Sequence, residues 1–63
     1  MNYAEAIKKL REKLIVSQTE LADMLGVSFG SVNRWEGGKH EPTIKIKRKL
    51  AILFKENGIK MGD

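Results

Sequence analysis

The sequence holds no cysteine, one proline, one histidine, one tryptophan and one tyrosine in 63 residues. Without thiols there is no disulfide framework and no thiolate metal site, so an ordinary hydrophobic core must hold the chain, and a reducing compartment does it no harm. That core is small. A chain of this length buries only about 60% of the surface its unfolded form exposes, enough for one domain with a stability of a few kcal/mol. Long hydrophobic runs are also missing: the longest, Leu50 to Phe54, falls far short of the roughly 20 residues of a membrane-spanning helix. No apolar signal-peptide core precedes it, so a cytoplasmic protein without membrane contact is the expectation. A lone histidine cannot complete a metal site. Glu5, Glu12, Glu20 and Asp23 fall at solvent spacing or in caps. With no phosphate-cradling glycine loop and no cleft expected of so short a chain, no catalytic residue, cofactor or small-molecule ligand is expected.

What is present is charge, unevenly placed. Twelve basic side chains oppose eight acidic ones for a net charge of +4. Residues 1–33 balance to zero, four against four, so the whole excess lies between Arg34 and Asp63. Lys39, Lys45, Lys47, Arg48 and Lys49 are opposed only by Glu41, a cluster that attracts polyanions. A charge run alone also describes a solvated helix face.

Periodicity and caps predict an all-α chain of four helices, over about 3–13, 18–25, 29–36 and 44–57. Ala4, Ile7, Leu10 and Leu14 repeat at helical spacing behind Asn2 and Glu5, an N-cap and its N3 carboxylate. Ser17 and Glu20 form a second capping box, with Val16 and Leu21 at the staple positions. Gly26 supplies a residue that turns left-handed without steric cost. Ser28 caps the third helix, with Val27 and Val32 as its staple. Gly37 and Gly38 end that helix, and Pro42 delays the next one until Thr43, a further cap candidate. Ile46, Leu50, Leu53 and Phe54 give the fourth helix one apolar stripe. Asn57 and Gly58 stop it, and the last five residues are expected to fray.

Two short helices joined by a tight glycine turn, inside a small basic all-helical domain, have the geometry of a helix-turn-helix. Ala22 lies four residues after Gln18, where only a small side chain lets the helices cross closely, and Gly26 lies four further on. The run Ser17-Gln18-Thr19-Glu20-Leu21-Ala22-Asp23-Met24-Leu25-Gly26-Val27-Ser28, followed by Trp35-Glu36-Gly37-Gly38-Lys39-His40-Glu41-Pro42, resembles the Cro and phage-repressor, or XRE, type of helix-turn-helix domain. The likeness spans Leu10 to about Phe54. It implies a compact lambda-repressor-like fold of four or five helices, sequence-specific binding of double-stranded DNA, and a transcriptional regulator, in the first instance a repressor. It also implies a homodimer on a palindromic operator. The fifth helix that often aids dimerisation has little room after residue 57, so this chain is either a whole small regulator or the N-terminal piece of something longer.

The resemblance assigns roles residue by residue, and several have competitors. Gln18 is implied to donate to a DNA phosphate beside the N-terminus of its helix, the alternative being an exposed polar residue. Ser28, Phe29, Gly30 and Arg34 are implied to read bases from the third helix, with Ser31 and Asn33 at phosphate. Arg34 can donate twice to guanine or tilt to a phosphate. Asn33 can address adenine, a phosphate or solvent. Phe29 can pack on thymine methyl groups or fold back on Val32, and Gly30 would let the helix approach the groove closely. Lys39 and Lys45 are implied phosphate contacts, joined by either Lys47 or Arg48. Arg11 and Glu36 resemble the family's structural ion pair. Trp35 belongs to the core and His40 to the loop. The competing function is a protein-interaction module, such as an antitoxin or assembly partner. Its mark would be an exposed apolar patch, for which Phe29, Ile44 and Ile59 are the candidates.

Overall fold

Side-chain caps fix where the helices begin, in a computed structural model that describes residues 1–61. Asn2 Oδ1 accepts the Glu5 amide hydrogen at 2.9 Å and Glu5 Oε1 accepts that of Asn2 at 3.2 Å, which opens α1, Tyr3–Leu14. The same reciprocal pair between Ser17 and Glu20, at 3.0 and 2.8 Å, opens α2, Gln18–Leu25. Ser28 Oγ accepts the Ser31 amide at 3.2 Å and opens α3, Phe29–Glu36. Each bond satisfies a backbone donor that the first helical turn leaves unpaired. The fourth helix, α4, Ile44–Glu56, starts differently: Thr43 has extended N-cap geometry but its side chain makes no cap bond. No strand occurs among the described residues.

The helix ends hold two departures from expectation. Helix α1 runs one residue further than its periodicity predicts, to Leu14, and is terminated by Ile15 in the left-handed region with φ 56°. A β-branched residue is strained there, and Ile15 is also 88% exposed, so no burial offsets the strain. Helix α4 stops one residue early, because Asn57 turns its side-chain amide back to donate to the Leu53 carbonyl at 2.8 Å. Gly58, at φ 69°, then reverses the chain so that the Ile59 amide donates to the Phe54 carbonyl at 2.8 Å. Ile59 is consequently buried, neither frayed nor part of an exposed patch. Lys60 is exposed and Met61 half-buried, and residues 62–63 of the tail lie outside the described residues.

One core joins all four helices. Ile7 and Leu10 of α1, Leu21 and Leu25 of α2, Val32 of α3 and Leu50 of α4 are almost wholly buried, with Trp35, Ile46 and Phe54 completing the cluster. Ala22 is 1% exposed at the α2–α3 crossing. Gly26, at φ 73°, makes the turn that a Cβ would strain. Beside it Lys49 reaches across from α4 to donate to the Leu25 carbonyl at 3.2 Å, placing a cation on the negative end of α2.

Candidate nucleic-acid interface

The crossing of α2 and α3 is set by directional bonds as well as by packing. Arg11 Nε and Nη2 donate to the two oxygens of Glu36 at 2.5 and 2.8 Å, a bidentate pair that ties α1 to the last residue of α3. A third Arg11 nitrogen, Nη1, donates to the Val16 carbonyl at 3.3 Å and so holds the α1–α2 connection. Glu36 Oε1 also accepts from Gln18 Nε2 at 3.0 Å, and Gln18 Oε1 accepts from Asn33 Nδ2 at 3.2 Å. The relay therefore runs Arg11, Glu36, Gln18, Asn33, across three helices. Burial by itself pushes the Glu36 carboxyl up; the hydrogen bonds from Arg11 and Gln18, with the charges of Arg11 and Lys8, outweigh it and hold the carboxyl below its usual range. The same hydrogen bond raises the Arg11 guanidinium further.

Arg11 and Glu36 are thus in contact, and the picture changes at Gln18 and Asn33. Spacing alone leaves both as outward polar residues, yet each is partly used inside the protein. A side-chain amide has two donor hydrogens. Gln18 commits one to Glu36 and Asn33 commits one to Gln18, leaving one donor on each for a ligand. Ser31 is likewise divided, its amide bonded to Ser28 Oγ and its hydroxyl 3.1 Å from that oxygen.

The outer face of α3 carries side chains that make no bond to another helix, although Ser28 caps its own. Phe29 is 52% exposed, so it is presented to solvent instead of being folded away. Ser28 and Arg34 are exposed at either end of the same face. A Cβ placed on Gly30 would stand 3.2 Å from Arg34 Nη1 and 3.8 Å from Ser28 Oγ, so the guanidinium would have to give way by a few tenths of an ångström. The missing side chain is thus the space into which the Arg34 guanidinium folds, back toward the first turn of α3. The expected reason for Gly30, close approach of the helix to a groove, acquires a competitor inside the protein.

The basic cluster divides. Lys39 and Lys45 are exposed and make no ion pair among the described residues. Lys47 instead bonds Glu41 at 2.9 Å and lies 4.9 Å from the centroid of the Tyr3 ring. The Glu41 bond raises its pKa, and of the two further phosphate candidates it is the one already occupied. Arg48 is exposed, whereas Lys49 serves as the α2 cap. No group of three or more His, Cys, Asp or Glu side chains stands together among the described residues. No helix there is long and apolar enough to cross a membrane.

Two short helices locked at a glycine turn, with a solvent-facing second helix and a basic loop behind it, define a helix-turn-helix unit in an all-α, lambda-repressor-like fold. Residues 7–58 match the family model HTH_3, described as helix-turn-helix, and the chain belongs to that family. It is 45% identical over 59 residues to a Pyrococcus furiosus protein assigned, by name only, as an HTH-type transcriptional regulatory protein. That alignment covers 94% of this chain and 19% of the relative. An uncharacterized HTH-type transcriptional regulator of Archaeoglobus fulgidus is 38% identical over 48 residues, covering 76% of this chain and 68% of the relative. A type II methyltransferase of Shigella sonnei is 47% identical over 45 residues, only 12% of its length. The same unit therefore occurs in small regulators and within longer proteins. No solved structure matches.

Proposed function

We propose that the chain binds double-stranded DNA as a transcriptional repressor, with α3 in the major groove. The observation that carries this reading is the division of labour on α3. Val32, Trp35 and Glu36 face the core or the relay, while Ser28, Phe29, Gly30 and Arg34 form an outer face with no side-chain bond to another helix. In this reading Arg34 donates twice to guanine, from a guanidinium that Gly30 allows to lie over the first turn of the helix, and Phe29 packs on thymine methyl groups. Gln18 and Asn33 use their remaining amide hydrogens on phosphate, with Ser31, Lys39 and Lys45 beside them. A homodimer would place two α3 helices on a palindromic operator about one helical turn apart. The family and the named regulators support a regulator of transcription; the charge of +4, all of it beyond residue 33, supports a polyanion as partner.

Selection from random duplexes, followed by mobility shifts at rising salt, tests the reading. A palindromic consensus and a steep loss of affinity with salt are expected. Arg34→Ala should reduce discrimination between sites, whereas Lys39→Ala should weaken all sites about equally and lower the salt slope by about one. Equal losses from both across every sequence would remove Arg34 from base reading. If no duplex is bound at low salt, the protein-interaction reading takes its place.

A further inference from the structure

On the side of the molecule where α1 and α4 meet the C-terminal segment, an open groove of about 380 Å³ is floored by Tyr3, Phe54, Ile59 and Met61. Its floor is held by the fold itself. The rings of Tyr3 and Phe54 lie 6.5 Å apart, and the Gly58 turn pins buried Ile59 by its bond to the Phe54 carbonyl. The groove thus exists before anything occupies it, which lowers the cost of binding. Its volume falls within the range of small-molecule sites, which combine an apolar lining with a few polar groups.

Among the described residues the charged side chains that line the groove are all of one sign, Lys47, Lys55 and Lys60. Lys47 is partnered by Glu41, while Lys55 and Lys60 make no ion pair among the described residues. A second copy of this chain would bring the same lysines to a shared seam, and like charges oppose that contact. An uncharged apolar ligand would use the floor and ignore the rim. We propose that this groove binds a small, freely diffusing organic carboxylate with an apolar body, the body on the Tyr3–Phe54–Ile59 floor and the carboxylate between Lys55 and Lys60. The proposal does not depend on the duplex reading, since Tyr3, Phe54, Lys55, Ile59 and Lys60 have no part in it.

Decanoate, added to the isotope-labelled full chain and followed by amide resonances, tests it. Saturable shifts at Ala51, Gly58, Ile59 and Lys60, half-complete below about 1 mM, are expected, with acetate and 1-decanol at least tenfold weaker. Ala51→Trp, a change on the exposed side of α4 that fills the groove, should abolish the shifts. Joint replacement of Lys55 and Lys60 by Gln should weaken decanoate at least tenfold without moving 1-decanol. The melting temperature of each variant shows that it remains folded, and the lysine pair, lying on the surface, serves if Ala51→Trp does not. Decanol binding as tightly as decanoate, or shifts that never saturate or spread over the whole chain, would overturn the proposal. So would the same resonances shifting with protein concentration alone, which would make a second copy the occupant, or an acidic peptide binding there while decanoate does not.

Discussion

Helices α1 to α3 are tied to one another by bonds that have direction as well as by packing, whereas α4 is held mainly by a stripe of apolar surface. In the first region, Arg11, Glu36, Gln18 and Asn33 pass hydrogen bonds from helix to helix, so the angle between α2 and α3 is specified to the reach of a few atoms. In the second, Ile46, Leu50 and Phe54 supply burial, and the one polar tie from α4 to the pair is Lys49 on the Leu25 carbonyl. Hydrophobic burial is strong and without direction; hydrogen bonds add less net stability but select geometry. The charge follows the same division: residues 1–36 sum to zero, five basic against five acidic, and the excess of +4 lies in residues 37–63. Orientation is specified where the chain is neutral, and attraction for polyanions is concentrated where it is not.

The most damaging way to break this comparison is Leu50→Ala. Removing a fully buried side chain from α4 should cost about 3 kcal/mol, most of the stability of so small a domain. The molecules that remain folded should keep the side-chain amide resonances of Gln18 and Asn33 unchanged, because the relay does not pass through α4. Altered amide resonances would show that the two regions are not separable.

Glu36→Gln should cost less, about 2 kcal/mol, by leaving the Arg11 guanidinium with a neutral partner, and it should move those same amide resonances. It should also change the response to acid. The native Glu36 carboxyl lies below its unfolded value, so its contribution is fully present at neutral pH, above the unfolded value, and is lost as pH falls through the lower native one. Urea midpoints of the native chain should therefore decline more steeply in acid than those of Glu36→Gln. Parallel curves would mean that the pair contributes nothing that depends on ionisation.

The smallest effect is a gain. Ile15→Gly relieves a left-handed β-branched residue at a surface position and should raise stability by about 0.5 to 1 kcal/mol, after the added freedom of glycine in the unfolded chain is subtracted. Thermal unfolding reads it directly, and a lower midpoint would show that the αL strain at Ile15 is small.

Much of the fold is legible because it is written in local chemistry. Asn2 with Glu5, Ser17 with Glu20, Ser28 and Gly26 each act within three or four residues, and the sequence displays those spacings openly. The Arg11–Glu36 pair spans 25 residues, and no local spacing displays it; only the family resemblance implies it. Interactions that depend on how helices are placed in space were hidden. Nothing in the spacing of Gln18 and Asn33 says that one amide hydrogen of each is spent indoors, or that Lys49, within a run of cations, caps another helix. The vacancy at Gly30 is legible only once the Arg34 side chain is seen to fill it. Ile15 was unreadable for a different reason: local preference favours glycine or asparagine there, and the chain closes α1 against its own propensity.

The relay through Asn33 and Glu36 has a consequence for how such a protein changes over generations. Because α3 is anchored by its inner residues and its last turn, Phe29, Gly30 and Arg34 carry no side-chain bond to another helix. Sequence drift at those positions alters what the outer face presents while the scaffold behind it stays intact. In the duplex reading proposed above, a lineage built on this arrangement can acquire a new target without having to solve the fold again.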